Sequence, residues 1–120
     1  MPKILVIEDM PESADMAAQI LRSYGHEVWI ADNAHAGLEL AAELFPDLIV
    51  CDYWLPDQDA RAVLRRLRET ETLRNIKVVV CTAAPELIMR QTVEDLEFDG
   101  YIAKPYRLSN FMQAVEAQLA

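Results

Sequence analysis

Five short apolar runs divide the sequence and constrain its fold more than any other feature. They are Ile4–Ile7, Val28–Ala31, Leu48–Cys51, Val78–Cys81 and Tyr101–Ala103. Each run is continuous rather than alternating, as is typical of parallel strands that are covered on both faces. Strand and helix patterns alternate five times, which predicts an α/β fold with one parallel sheet, helices on both faces and right-handed crossovers.

Helical spacing fills the segments between these runs. The first helix is expected to end before Gly25, and the second to begin at the N-cap Asn33 and to close at Pro46. A fourth helix is expected after Pro85, which suits a first turn. The third helix should expose its arginines. The expected buried residues are Ala14, Ala17, Ala18 and Leu21; Ala36, Leu40 and Leu44; Val63, Leu64 and Leu67; and Phe111, Met112, Val115 and Leu119.

Length and composition indicate one soluble domain. The 120 residues are 52% hydrophobic and 26% charged, and the net charge of -9 argues against direct nucleic-acid binding. No run approaches the roughly 20 apolar residues of a membrane helix, and the start lacks a secretory signal, so a cytoplasmic location and no membrane contact are expected. Cys51 and Cys81 are expected to be reduced, buried and turned away from the strand ends.

Chemically reactive side chains follow four of the five runs. Glu8 and Asp9 follow the first run, Asp52 the third, Thr82 the fourth and Lys104 the fifth. Because ligands in such folds bind beyond the carboxyl ends of the strands, these groups are expected at one rim. Three neighbouring carboxylates repel one another unless a cation lies between them, and oxygen ligands suit Mg²⁺. Each residue alone has an ordinary structural explanation, but their joint occurrence predicts a site.

On these residues, the whole chain resembles a receiver domain of the two-component response-regulator family. The resemblance implies one receiver domain over residues 1–120, with a flavodoxin-like fold, a sheet order of 2-1-3-4-5 and five helices. The motifs that carry it are Glu8-Asp9, the segment from Asp52 to Asp59, Thr82-Ala83 and Lys104-Pro105. The implied roles are Asp52 as phosphoacceptor, Glu8, Asp9 and Asp52 as Mg²⁺ ligands, Thr82 and Lys104 as phosphoryl contacts, and Thr82 with Tyr101 as the switch.

The resemblance also implies partners. A histidine kinase or a histidine phosphotransfer protein would supply the phosphoryl group, and the switched surface would form a homodimer or bind a downstream protein. The domain would assist its own phosphorylation and dephosphorylation without being an enzyme. Two alternatives stay open, a pseudo-receiver scaffold and a small Mg²⁺-dependent aspartyl phosphatase or phosphotransferase. A pseudo-receiver usually lacks the Asp, Thr or Lys, and the enzyme would need an added lid or substrate domain.

Some positions depart from the commoner pattern of the family. Ala60 stands where the family often has glycine, Trp54 places a bulky aromatic at the mouth of the site, and Tyr101 is Tyr rather than Phe. The resemblance implies a cis Lys104-Pro105 bond. The output surface is expected on the fourth helix, the fifth strand and the fifth helix, with Leu87, Met89, Arg90, Tyr101 and Tyr106.

Overall fold

Five parallel strands form one sheet in the computed structural model, which describes residues 1–83 and 98–119. The strands are β1 (Lys3–Ile7), β2 (Glu27–Ala31), β3 (Leu48–Asp52), β4 (Lys77–Thr82) and β5 (Gly100–Ala103). Their order is β2-β1-β3-β4-β5, and every neighbouring pair is parallel. The predicted fold class, strand positions and sheet order are therefore confirmed.

Four helices connect or follow these strands in the described part of the chain. They are α1 (Pro11–Ser23), α2 (Ala34–Leu44), α3 (Ala60–Glu69) and α4 (Leu108–Leu119). The helix predicted after Pro85 lies outside the described residues. Among the helices that are described, none is long and apolar enough to cross a membrane.

The side chains of the strands alternate between two apolar layers. The layer under α2 and α3 takes from the strands Leu5, Ile7, Ala31, Ile49, Cys51, Val78 and Val80. The layer under α1 and α4 takes Ile4, Val6, Val28, Leu48, Val50, Val79, Cys81 and Ile102. Because burial on both faces requires continuous apolar strands, this arrangement accounts for the five runs in the sequence.

Predicted helix ends and buried faces agree with the structure for α1, α3 and most of α4. Gly25 adopts a left-handed φ of 89° just after α1. At the start of α2 the side chain of Asn33 accepts a hydrogen bond from the backbone N–H of Ala36, at 2.8 Å. The predicted residues that are buried are Ala14, Ala17, Ala18, Leu21, Val63, Leu64, Leu67, Phe111, Met112 and Val115, whereas Leu119 is half-buried.

The predicted buried face of α2 is confirmed only in part. Ala36 and Leu40 are half-buried and pack against the core, and Leu44 is half-buried, whereas the fully buried residues are the small ones Ala34, Gly37 and Ala41. A Cβ atom on Gly37 would lie 2.5 Å from Cδ1 of Ile7 on β1. The helix therefore packs closely against β1, which only small side chains allow.

One arginine of α3 does not face the solvent as predicted. Arg68 is half-buried and donates hydrogen bonds to the backbone carbonyls of Arg74 (3.0 Å) and Ile76 (2.8 Å) and to the Asp99 carboxylate (3.1 Å). Asp99 also accepts a hydrogen bond from the backbone N–H of Val78, at 2.7 Å. These bonds fix the end of α3 and the starts of β4 and β5 relative to one another.

Candidate functional site

Three carboxylates meet at the carboxyl edge of the sheet. Glu8 follows β1 directly, Asp9 comes next in the chain, and Asp52 is the last residue of β3. One oxygen from each carboxylate lies within 4.8 Å of the others. The side chains of Glu8 and Asp52 are largely buried, with 7% and 16% of their surface exposed. Because this all-oxygen set matches the preference of Mg²⁺, the residues fit a divalent cation.

Lys104 places its ammonium between two of these carboxylates. Its Nζ atom lies 2.8 Å from Oε2 of Glu8 and 3.2 Å from Oδ1 of Asp52. The backbone N–H of Lys104 donates to the carbonyl of Thr82 at 2.7 Å. The Lys104-Pro105 peptide bond is cis, as the resemblance implied. The turn after β5 thus holds the ammonium over the ends of β1 and β3.

Burial and mutual charge shift the ionisation of the cluster. Burial raises the pKa of Asp52 above its ordinary value, and the charge of Glu8 adds to that rise, while Lys104 opposes it. Burial alone would lower the pKa of Lys104, but its hydrogen bond to Glu8 and the charge of Asp52 outweigh burial and raise that pKa. Lys104 therefore stays protonated at neutral pH and remains a cation within the site.

Cys81 lies beside the cluster, contrary to the expectation that it turns away from the strand ends. It pairs with Asp52 across β3 and β4. It also lines a cavity of about 20 Å³ together with Glu8, Asp52 and Lys104, which is room for one water molecule. Cys51 lies in the opposite layer, and both thiols are free and buried, as predicted. Burial raises the pKa of Cys81 to about 12, so its thiol stays protonated.

Thr82 and Tyr101 lie on the opposite face of the sheet from Asp52. Thr82 ends β4 and is 3% exposed, and it continues the alternation of Val78 and Val80, whose side chains lie under α2 and α3. Tyr101 is half-buried and packs against that same layer. The two residues predicted as a switch therefore share one side of the sheet.

The loop between β3 and α3 is held by hydrogen bonds that the sequence interpretation missed. Asp57 accepts from the backbone N–H groups of Ala34 (2.9 Å) and His35 (3.0 Å) at the start of α2. Asp59 caps α3 by accepting from the N–H of Ala62, at 3.2 Å. The signal for Asp59 is local, since an Asp three residues before a bonded amide is a common N-cap. No local signal pairs Asp57 with α2.

The rim around the cluster carries an exposed aromatic. Trp54 is 67% exposed and its ring meets that of Tyr53 edge to face, with centroids 4.9 Å apart. Ala60, at the position where glycine is common, starts α3 fully buried, and its N–H donates to the carbonyl of Tyr53 at 2.8 Å. The N–H of Ala60 thus closes the loop back onto Tyr53, and Trp54 is an exposed aromatic two residues after Asp52; its role at the mouth of the site stays a prediction.

The chain is similar in sequence to one known protein family. The model of the response regulator receiver domain family matches residues 4–116. The chain is 34% identical over 119 residues to the DNA-binding dual master transcriptional regulator RpaA of Synechocystis sp., covering 99% of this chain but 49% of RpaA. It is 28% identical to the polar-differentiation response regulator DivK of Brucella anthropi, covering 99% of this chain and 98% of DivK. The chain thus spans about half the length of the first relative and nearly all of the second.

A solved structure gives the same fold. The chemotaxis response regulator CheY4 of Vibrio cholerae superposes with a TM-score of 0.91 at 19% identity, covering 98% of each chain. At that identity the likeness concerns the fold alone. The family match covers most of the chain, and the chain therefore belongs to the response regulator receiver domain family. It is a receiver domain of two-component phosphorelay signalling.

Family membership supplies the coarse biochemistry. Receiver domains accept phosphoryl groups in signalling and are not classical enzymes. They are typically Mg²⁺-dependent, and they interact with histidine kinases or phosphotransfer proteins and with downstream effectors.

Proposed function

We propose that Asp52 accepts the phosphoryl group from a phosphohistidine and that this modification switches a protein-interaction surface. The observation that carries the proposal is the position of the Lys104 ammonium, within 3.2 Å of both Glu8 and Asp52. A carboxylate that attacks a phosphoryl group must overcome charge repulsion, and a fixed cation beside it reduces that barrier. Asp52 also ends β3 at the edge of the sheet where ligands bind in this class of fold.

The metal would be held by Glu8, Asp9 and Asp52. Mg²⁺ bound there would neutralise charge on the oxygens of the phosphoryl group. Asp52 would supply the nucleophilic oxygen, and the bond from the phosphorus to the histidine nitrogen would break as the new bond forms. The Lys104 ammonium, which contacts Asp52, would bind an oxygen of the phosphoryl group once Asp52 is phosphorylated.

Thr82 and Tyr101 would transmit the change. Thr82 ends β4 at the same edge of the sheet where Asp52 ends the neighbouring β3, so its hydroxyl would move over that edge to donate a hydrogen bond to the phosphoryl group. This movement would give Tyr101 space to turn inward. Their location on one face of the sheet supports this pairing. Phosphorylation would thereby shift an existing equilibrium between two surfaces. Three residues expected on the output surface, Leu87, Met89 and Arg90, lie outside the described residues.

We also propose the extent, the location and the partners of this domain. Residues 1–120 would form one receiver domain in the cytoplasm, phosphorylated by a histidine kinase or a histidine phosphotransfer protein. Its output would be protein binding, either a homodimer or a downstream protein, without direct contact to nucleic acid. The domain would assist its own phosphorylation and dephosphorylation and would not turn over a separate substrate.

Two other functions are less well supported. A pseudo-receiver scaffold would not need Lys104 and three carboxylates together at one rim. A phosphatase would need a pocket for its substrate next to Asp52, and in the described part of the chain the cavity lined by Asp52 measures about 20 Å³. These observations favour the phosphoacceptor.

The test is phosphorylation of an Asp52→Asn variant. The parent protein, incubated with acetyl phosphate and Mg²⁺, is expected to gain one phosphoryl group by intact mass. Asp52→Asn is expected to gain none, because an amide oxygen is a poor nucleophile, while its circular dichroism stays that of the parent. Asp57→Asn is the matched control, since Asp57 lies in the loop that follows Asp52 and outside the carboxylate cluster. Equal phosphorylation of the Asp52 variant would place the acceptor elsewhere.

A further inference from the structure

Charge is distributed very unevenly along this acidic chain. Residues 61–77 contain six Lys or Arg and two Glu, a net charge of +4 within a chain of net -9. Residues 32–47 contain four Asp or Glu and no Lys or Arg, a net charge of -4. The first segment contains every charged residue of α3 and the second includes α2, and these two helices pack side by side on one face of the sheet.

The two helices present equivalent outer faces. Both follow a strand at the carboxyl edge of the sheet and run back in the same direction. Their buried positions also correspond: the first, fourth and eighth residues are buried in each, namely Ala34, Gly37 and Ala41 in α2 and Ala60, Val63 and Leu67 in α3. A residue at a given position in the helix therefore points in the same direction relative to the sheet in both helices.

Glu39 and Arg65 occupy the same position, five residues after the first residue of α2 and α3 respectively. Both are exposed, and Glu39 retains 64% of its side-chain surface. Glu39 contacts His35 on its own helix, and no other polar contact involves it within the described residues. Over residues 1–83 and 98–119, no carboxylate lies within ion-pair distance of Arg65 or Arg66.

We propose that this α2–α3 surface binds a second copy of the chain in a two-fold symmetric dimer. A two-fold axis parallel to the helices places α2 of each protomer against α3 of the other, because both helices run in the same direction. Glu39 of each protomer then faces Arg65 of the other, so this ion pair occurs twice in the interface. A surface that combines an acidic helix with a basic helix is thus complementary in charge to a second copy of itself. A uniformly charged surface would repel its copy.

The charges on this surface favour a second copy of the chain over nucleic acid as its binding partner. A polyanion such as nucleic acid would meet Arg65 and Arg66 but also the carboxylates of Glu39 and Glu43 on the neighbouring helix, which are exposed. A second copy satisfies both charges at once. The proposal does not depend on phosphorylation of Asp52 or on the surface around Tyr101.

Charge reversal with complementation tests the dimer by sedimentation velocity over a concentration series at about 0.1 M salt. Arg65→Glu and Glu39→Arg are each expected to weaken self-association about tenfold or more, because each reversal places like charges together twice. An equimolar mixture of the two variants is expected to dimerise like the parent, since every pair across that heterodimer is again of opposite sign. Raising the salt to about 1 M should weaken the parent dimer, as the screening length falls from about 10 Å to about 3 Å.

The control is Arg107→Glu, which makes the same charge change at an exposed residue just before α4, on the other side of the sheet. It is expected to self-associate like the parent. A parent that stays monomeric at every concentration would overturn the proposal, and so would a mixture of the two reversed variants that fails to associate. Binding of a short single-stranded DNA, used as a polyanion probe, to a monomeric parent through Arg65 would likewise overturn it and give this surface a different ligand.

Discussion

At the scale of single residues, the site holds one ammonium for three carboxylates. Lys104 contacts Glu8 and Asp52, while Asp9 is exposed and has no ion-pair partner within the described residues. The cluster therefore keeps an excess of negative charge that a divalent cation would relieve. This excess has a measurable consequence for stability.

Mg²⁺ is expected to stabilise the unphosphorylated protein in chemical denaturation. The gain should be about 1.4 kcal/mol when free Mg²⁺ is tenfold above its dissociation constant, because the cation binds the folded state. Asp9→Asn is expected to bind Mg²⁺ more weakly and to be more stable than the parent without Mg²⁺, since it removes one repelling charge. Glu12→Gln, an exposed residue in the first turn of α1, is the control and should keep the parent affinity. Unchanged Mg²⁺ affinity in Asp9→Asn would place the cation elsewhere.

Asp57 gives a second prediction at this scale. Its slight burial would raise the pKa of its carboxyl, but hydrogen bonds from Ala34 and His35 outweigh burial and lower it. A lowered pKa in the folded state means that the carboxylate contributes stability above its unfolded pKa, and that this contribution is lost as the pH falls through the folded value. Because Asp57 is exposed and its charge is screened by solvent, Asp57→Asn is expected to reduce the free energy of unfolding by only about 0.5 kcal/mol or less at pH 7. The difference between variant and parent should shrink as the pH falls below the ordinary pKa of an Asp carboxyl and through the lowered folded value. A difference that persists unchanged at low pH would contradict this origin.

At the scale of elements, α2 packs closely against β1 at Gly37. Gly37→Ala would gain about 1 kcal/mol of helix propensity, but the added methyl would lie 2.5 Å from Cδ1 of Ile7. Overpacking of this kind typically costs about 1–3 kcal/mol. The variant is therefore expected to be less stable than the parent in urea denaturation.

A double-mutant cycle identifies the cause of that loss. Ile7→Val removes Cδ1, so Gly37→Ala should cost about 1 kcal/mol less in the Ile7→Val background than in the parent. Gly100→Ala is a control because its nearest contact, Cγ2 of Val79, is at an ordinary 3.5 Å. Additive effects of the two substitutions at positions 7 and 37 would show that the two side chains do not limit each other.

At the scale of the whole molecule, the proposed site and the proposed switch lie on opposite faces of one sheet. Asp52 faces the α1 and α4 side, and Tyr101 packs on the side of α2 and α3. The connection runs through β4 and β5, since the backbone N–H of Lys104 donates to the carbonyl of Thr82. A change at Asp52 is thus expected to reach Tyr101 through the sheet.

Beryllofluoride, a mimic of the phosphorylated aspartate, tests this coupling. With Mg²⁺ it is expected to change the backbone amide shifts of β5 around Tyr101 in the parent. Tyr101→Ala should bind beryllofluoride but respond less along β5, because the ring that moves is absent. Tyr24→Ala, which removes an exposed ring just after α1, should respond like the parent. Identical β5 shifts with and without beryllofluoride in the parent would contradict the switch.

The sequence predicts the sheet and the rim because both depend on local patterns. Continuous apolar runs identify buried parallel strands, and the residues that follow them must meet at one edge once the strands align. This logic places Glu8, Asp52 and Lys104 together before any coordinates are known. The buried face of α1 follows in the same way from its spacing.

Contacts between segments that are far apart in the chain cannot be predicted from such local sequence patterns. The close packing at Gly37 requires knowledge of the distance between α2 and β1. Asp57 meets the start of α2 across 23 residues of chain, and no pattern in either segment indicates the partner. Cys81 lies beside Asp52 because of the register between β3 and β4, which spacing along one strand does not specify.

The contact between Lys104 and Glu8 joins residues that are 96 positions apart in the chain. Glu8 follows β1 and Lys104 follows β5, and β3 and β4 lie between these strands in the sheet, so their approach requires four of the five strands to be in place. Closing so large a loop is slow compared with local contacts. The ability to accept a phosphoryl group would then appear only at the end of folding, and a damaged or half-synthesised copy could neither take up nor report a signal.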